Sequence, residues 1–368
     1  VSQQDVIVIG AGIVGAACAD ALSQRGLRVM VIEQDLPGGG ATAAGMGHLV
    51  VMDDNPAELA LSAYSVSLWN SLVGDLPQRH EYSRCGTIWV AADEEEMEAA
   101  RAKADTLSAY GLACEMLPPA ALYAREPQLR TGLAGGLLVP GDGLVYPPKS
   151  TRILLDRAIR RGATTLRGSV AAIENNGVLL ADGTRHQASQ VVLAAGSRSA
   201  ALLPELPVQP KKGHIAITDR YPGFVNHQLV ELGYIKSAHA ASGDSVAFNL
   251  QPRPTGQVLI GSSRQFDTID LAVEPAMLQR MLRHAATFTP ALAQLNVLRC
   301  WTGLRAATPD GMPLIGPHAA RRGLWLATGH EGLGITTSLA TAQLLAAQMT
   351  GDSTRIPYTP YLPGRFND

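Results

Sequence analysis

The chain has 368 residues, 46% hydrophobic and 17% charged, a composition that suits a globular protein with a sizeable core and excludes a disordered chain. Lys and Arg total 30 against 32 Asp and Glu, a formal charge of −2 with no basic tract, so nothing points to nucleic acid or an anionic membrane surface. The length exceeds twice that of a typical domain, and one large or two interleaved domains are expected.

The first element reads VIVIGAGIVGAACADALSQRGLRVMVIEQD, from Val6 to Asp35. Val6–Ile9 is a short run rich in β-branched residues, as a buried parallel strand would be. Gly10, Gly12 and Gly15 then form G-x-G-x-x-G, and Ile13 and Val14 lead into a helix expected to end at Gly26. Leu27–Ile32 is the second strand, closed by Glu33 and Gln34. Gly10 permits a tight turn, Gly12 lets backbone approach a pyrophosphate, and Gly15 lets helix pack on strand. The helix N-terminus offers free N–H groups and a positive dipole to phosphates. Glu33 accepts from ribose hydroxyls and repels a 2′-phosphate, which argues against NADP. A glycine-rich structural turn is the bland alternative, but strand, helix, strand and acid follow in order. This motif alone does not separate NAD from FAD.

Further along, Glu94–Ala109 carries a charged helix face. Thr164–Gly196 holds Asn176-Gly177 and Asp182-Gly183 as turn signals between short runs, which predicts a β-meander ending in VVLAAG at Ala195 and Gly196. Residues 245–263, SVAFNLQPRPTGQVLIGSS, predict a hairpin around Pro254-Thr255-Gly256. Trp325–Ala327 reads as a strand, Gly329–Gly334 as a glycine-punctuated turn, and Ile335–Met349 as a helix whose N-terminus is a natural anion site. The four cysteines, Cys18, Cys85, Cys114 and Cys300, lack C-x-x-C spacing; a self-contained iron–sulfur cluster is not expected, nor is a zinc site. With no transmembrane span and no leader apparent, a cytoplasmic location is expected.

Five stretches together resemble the D-amino-acid-oxidase-type FAD oxidoreductases, the group of glycine and sarcosine oxidases and their dehydrogenase relatives: VIGAGIVGAACADAL, ATAAGM (41–46), GDGLVYPPK (141–149), VVLAAG and WTGLRAATPDGMPLIG (301–316). More narrowly, ATAAGMGHLVVMDD (41–54) and LIGSSRQF (259–266) resemble the flavoprotein β subunits of D-hydroxyproline dehydrogenases assembled from several different chains, with hydrogen cyanide synthase and opine oxidase subunits as near relatives. The fold class this implies is α/β (α+β overall): a Rossmann-like FAD-binding domain of the two-dinucleotide flavoprotein type with an interleaved antiparallel-sheet substrate domain. The FAD domain would comprise 1–78, 145–209 and 300–368, and the substrate domain 79–144 and 210–299.

The resemblance also implies roles. The cofactor would be FAD, held by the N-terminal glycines, by Thr42, Ala43, Ala44, Gly45 and Met46, by Val170, Ala195 and Gly196, by Gly303, and by Gly329, Glu331, Gly332, Leu333, Gly334 and Ile335. His330 and Glu331 would act chiefly through their backbone. Arg305 stands where relatives clamp the substrate carboxylate, a task that suits a planar guanidinium, with a surface or cofactor-pairing arginine as the alternative. Asn249 falls where the family has a pocket tyrosine, so either the pocket is reshaped or the alignment slips by one. His48 either faces the isoalloxazine or is a structural hydrogen-bonder. Arg264 is either near the flavin or a hairpin surface arginine. Gly303 stands where sarcosine oxidases have the cysteine that attaches FAD, and Cys300 comes three residues early, which implies noncovalent FAD.

The implied reaction is hydride transfer from the Cα–H of a small amino acid to flavin N5, with the amine neutral and no obvious protein base. The expected partners are subunits carrying a further flavin or an iron–sulfur centre. A free-standing oxidase making hydrogen peroxide, an inactive flavin-bearing structural subunit and an NAD-dependent dehydrogenase are the competing readings.

Overall fold

The computed structural model describes residues 4–74, 76–233, 243–266 and 268–366. Its first large sheet is built around the strand Gln4–Ile9, which runs parallel to Val29–Glu33 on one side and to Arg185–Leu193 on the other. Thr164–Arg167 extends the sheet beyond Val29–Glu33, and Leu324–Thr328 extends it beyond Arg185–Leu193, both in parallel; Leu314–Pro317 closes the latter edge antiparallel. Strand alternation sorts the core. Val6 and Val8 pack with Leu22, Trp69, Leu154 and Leu345 under the helices Ile13–Gln24, Pro56–Val73, Pro147–Arg160 and Gly334–Thr350. Ile7 and Ile9 point the other way, into a core with Val178, Leu193 and Leu326. That face is covered by the expected meander, in which Val170–Glu174, Gly177–Leu180 and Arg185–Leu193 pair antiparallel in succession. The mixed α/β class is as the sequence implies.

The second eight-stranded sheet takes the order Val297–Ala307, Gln209–Arg220, Gln257–Arg264, Ser245–Pro252, Gln228–Glu231, Thr87–Ala91, Gly135–Val139, Glu115–Leu117. It departs from the expected antiparallel sheet at one junction, because Gln228–Glu231 and Thr87–Ala91 run parallel. Helix Glu94–Ala109 forms as the charged face predicts, with Asp93 Oδ1 accepting from Glu96 N at 2.9 Å. The predicted hairpin forms between Ser245–Pro252 and Gln257–Arg264. Ile88, Leu229, Phe248, Leu250 and Ile260 fill one face of the sheet beneath helix Pro275–Phe288, where Phe248 stacks on Phe288 at 4.5 Å. The alternate residues of the same strands turn to the first sheet. Met46, Ile215 and Leu259, with Trp301 beside them, pack where the two sheets meet. Strand Val297–Ala307 joins the second sheet along Gln209–Arg220, with Gly213 opposite Gly303 and Lys211 opposite Arg305. Among the described residues, no helix is long and apolar enough to cross a membrane.

Candidate active site

A cleft of about 1620 Å³ runs between the two sheets. That exceeds the ~300–1,000 Å³ usual for a single small ligand, leaving room for a dinucleotide and a substrate together. Every site residue named from the sequence lines it except Gly15. Gly15 lies behind, where a Cβ would come within 2.0 Å of Gly10 O, so its role is the helix–strand contact. Gly10 has φ +100° and its Cα hydrogen faces Ala194 O, which a Cβ would approach to 2.6 Å.

At the nucleotide end, helix Ile13–Gln24 starts at Gly12 with no side-chain cap. Thr42 Oγ1 accepts from Ile13 N at 3.0 Å, and the remaining first-turn N–H groups and the helix dipole face the cleft. Glu33 is held at its strand end by Ala11 N on Oε2 at 2.7 Å and Asp35 N on Oε1 at 2.9 Å. Gln34, Val170, Ala195 and Gly196 complete this wall.

The C-terminal motif supplies the opposite anchor. Gly329 turns the chain at φ +80°, a short 3-10 turn spans Glu331–Leu333, and helix Gly334–Thr350 begins without a side-chain cap. Trp69 Nε1 fixes this end by donating to Ile335 O and Thr336 O, both at 3.1 Å. His48 links it to the second sheet: Nε2–H donates to Gly332 O at 3.3 Å and Nδ1 accepts from Gln251 Nε2 at 3.3 Å. Burial, with the Arg305 charge nearby, holds this imidazole below its ordinary range even though Gly332 O favours protonation. It both lines the cleft and bonds across it. His330 is a core residue, pushed down to about 3 by burial and bonded through Nε2 to Thr341 Oγ1 at 3.0 Å.

Glu331, expected to act chiefly through its backbone, also has side-chain contacts. Its φ is +44°, a left-handed position, but its Oε1 also pairs with Lys211 Nζ at 3.4 Å and Arg264 Nη2 at 3.5 Å. Arg264 is thus a cleft residue and not a surface one.

Arg305 reaches into the cleft from strand Val297–Ala307 because its strand alternates: Trp301, Gly303 and Arg305 face inward while Cys300 packs against the opposite core. Arg305 Nη1 donates to Ser263 O at 3.0 Å across Gly213, whose missing side chain makes the room; a Cβ there would sit 2.5 Å from Nη1. Gly303 is equally tight, since a Cβ would fall 2.5 Å from Ala44 Cβ. Asn249 faces the cleft between the core residues Phe248 and Leu250, and its Oδ1 is buried with no hydrogen-bond partner among the described residues. Asp310 shapes its turn, accepting from Met312 N at 3.0 Å and pairing with Arg365 at 2.7 Å.

Among the lining residues that the sequence did not point to are Trp89 and Glu58. Trp89, 2% exposed, presents a buried Nε1–H with no partner among the described residues, and Glu58 brings a carboxyl to the same wall. The sequence signal at Glu58 is a capping box, N-x-x-E, which hides any other role.

The residues fit FAD. Two uncapped helix N-termini open on one elongated cleft, which suits a pyrophosphate at one end and a ring that gains negative charge on reduction at the other. The contacts of Gly10 with the Ala194 backbone and of Gly303 with Ala44 Cβ leave no space for side chains along this wall. Residues 5–348 match the family model described as FAD dependent oxidoreductase, DAO. The glycine oxidase of Geobacillus kaustophilus is 28% identical, covering 98% of this chain and 96% of its own length, and hydrogen cyanide synthase subunit HcnC of Pseudomonas aeruginosa is 27% identical, covering 98% and 96%. The crystal structure of glycine oxidase from Geobacillus kaustophilus superposes with a TM-score of 0.88 at 27% identity, covering 99% of both chains. L-proline dehydrogenase from P. horikoshii shares the fold with a TM-score of 0.90 at 24% identity over 100% of this chain and 98% of that one. The chain belongs to the DAO family of FAD dependent oxidoreductases, and its cofactor is FAD.

Proposed function

We propose that this amino-acid oxidoreductase acts on a secondary or D-amino acid, with D-hydroxyproline or a proline-like amine as the substrate of choice, and yields the imine. The observation that carries the reading is Arg305, a half-buried guanidinium on the cleft-facing side of its strand with Gly213 cleared beneath it. It would take the substrate carboxylate in a two-pronged grip, because its fork matches that group and few other side chains do. Bound FAD supplies a two-electron acceptor for the Cα hydride. The protein's task is orientation, with the carboxylate fixed at Arg305 and the wall of Asn249, Met46 and Trp301 aiming Cα–H at the ring.

The same reading divides the chain into an FAD domain of 1–78, 145–209 and 300–368 and a substrate domain of 79–144 and 210–299. It also takes FAD as noncovalent, because Gly303 offers no thiol and Cys300 faces away. The likeness to a protein described as a subunit, HcnC, supports work within a complex, and the reading adds a cytoplasmic location and partners that carry a further flavin or an iron–sulfur centre. The glycine oxidase relatives favour a second reading, a free-standing oxidase that makes hydrogen peroxide.

An anaerobic screen of flavin bleaching across D- and L-amino acids, prolines, sarcosine and opines tests the substrate class. Bleaching by D-hydroxyproline or D-proline at the lowest concentration is expected, and bleaching by none of the amino acids would refute the reading. Reoxidation of the reduced protein in air against a dye separates the two electron routes. Slow reaction with air and fast reaction with dye is expected; rapid stoichiometric peroxide would establish the oxidase.

A further inference from the structure

Glu58 occupies the third position of helix Pro56–Val73, whose N-cap Asn55 accepts from Glu58 N through Oδ1 at 2.9 Å. A capping-box glutamate would turn its carboxyl back to the helix start and rest there. Glu58 does so with one oxygen only, toward the backbone of Asp54. Its Oε2 is sealed from solvent without a hydrogen-bond partner among the described residues, on a side chain that lines the cleft. A buried polar atom in that condition calls for an explanation that a cap does not provide.

The surroundings have one sign on one side. Asp54 from the preceding loop and Glu331 from the 3-10 turn both disfavour a charge on Glu58, and Lys103 from helix Glu94–Ala109 favours it. Lys103 is already committed, to Asp53 and to the Trp89 ring 4.3 Å away. Burial is the largest influence, and the carboxyl is pushed up to about 7. Beyond this acidic group, Glu331 is itself bound to Lys211 and Arg264, and Gly332 beside it faces Arg305, whose Nε a Cβ at that glycine would approach to 4.0 Å. The cleft therefore has a cationic wall for a carboxylate and an acidic corner with an oxygen still to be satisfied. An amino-acid zwitterion carries the two charges that such a pair of walls would take.

We infer that Glu58 is the base that accepts the ammonium proton of the bound amino acid before oxidation. This rests on the amino-acid reading of the site given above. In the step, the substrate N–H bond breaks and its proton passes to the Glu58 carboxylate, giving a neutral amine and a carboxylic acid. The freed lone pair forms the C=N bond as Cα–H leaves with both its electrons to the FAD that the family supplies. The product is an iminium, and charge is conserved across both steps. A base that titrates near working pH is the kind that serves proton transfer best.

The test compares wild type with Glu58→Gln, which retains the capping acceptor and so the fold, checked by circular dichroism and bound flavin. Anaerobic flavin reduction by D-hydroxyproline or D-proline is followed by stopped flow from about pH 5.5 to 10. In wild type the second-order constant rises through a group near 7; in Glu58→Gln that limb disappears, with a loss of about 100- to 10,000-fold at neutral pH and recovery once pH passes the amine's own pKa. Infrared titration of the substrate-free holoprotein gives an independent reading, in which a carboxylic carbonyl band titrating near 7 vanishes in the variant while that of Asp142, also pushed up to about 7 by burial, stays. Superimposable pH profiles, or a variant uniformly slow at every pH, would overturn the assignment. A wild-type flavin that no amino acid reduces would overturn the amino-acid reading as well, so the two failures are distinguishable.

Discussion

Replacing Arg305 with Met keeps the length of the side chain and removes its charge. The guanidinium has one nitrogen fixed on Ser263 O at 3.0 Å and lies over Gly213, so it is held in place before any ligand arrives. Removing one partner of a desolvated charge pair costs about 2–5 kcal/mol, which corresponds to roughly 30-fold to several thousand-fold in kcat/KM. The upper part of that range is expected, because the positioning by Ser263 leaves little ordering entropy to recover when the pair is lost. Arg305→Lys should regain only part, since an ammonium cannot keep the Ser263 contact and present a two-pronged face together. Gly213→Ala probes the same geometry without touching the charge: its Cβ would meet Nη1 at 2.5 Å and displace the fork, so substrate use should fall with flavin content unchanged. The assay is anaerobic flavin reduction against amino-acid concentration, with FAD content from absorbance. Near-normal kinetics in Arg305→Met would move the carboxylate site elsewhere, and loss of flavin would assign the arginine to the cofactor.

Gly303→Ala drives a methyl to 2.5 Å from Ala44 Cβ, and overpacking of this kind costs about 1–3 kcal/mol; a lower Tm and weaker FAD retention are expected on thermal melts with and without added FAD. Acid precipitation should release yellow FAD into the supernatant, and colour in the pellet would refute the noncovalent attachment. His330 and His80 are pushed down to about 3 and about 4 by burial, the latter with help from the Arg157 charge, so the unfolded chain gains protons below about 6.5 that the fold refuses. Their stabilisation is complete above about 6.5 and fades as pH falls toward those values, so Tm should drop from pH 6.5 to 5, with a shallower drop in His330→Asn. Asp142 shows the reverse sign: burial raises it to about 7, its contribution is complete below about 4 and is lost as pH rises through 7, and Asp142→Asn should flatten the fall of Tm between about pH 4 and 7.

The first sheet was readable because its signals are local. A β-branched run, three spaced glycines and an acid lie within one stretch of chain, and each has its own steric reason. The meander and the C-terminal helix are similarly marked by turn residues on the spot. The second sheet is different. Lys211 lies opposite Arg305, and Val230 sits between Trp89 and Asn249, pairings across large sequence separations that no local pattern encodes. One pair in it is parallel, which alternation along single strands does not reveal.

The site shows the same division at the level of single side chains. Arg305 was legible from its motif, and strand alternation explains why Cys300, next to the inward-facing Trp301, turns its thiol into the opposite core. Asn249 fits that rule too, since Phe248 and Leu250 take the core side. Glu331 and Glu58 did not follow from local rules. A glutamate among glycines reads as a turn spacer until Lys211 and Arg264, from two other strands, are seen to bind it. A glutamate three residues after Asn55 reads as a cap until its second oxygen is found buried without a partner among the described residues, on a side chain that lines the cleft. In both cases the local explanation is incomplete: the cap accounts for one Glu58 oxygen only, and the left-handed backbone at Glu331 does not call for a glutamate, whose carboxyl is explained by Lys211 and Arg264 instead. Acidic residues assigned to caps and turns are therefore the ones to inspect first when a cleft of this kind lacks an evident base.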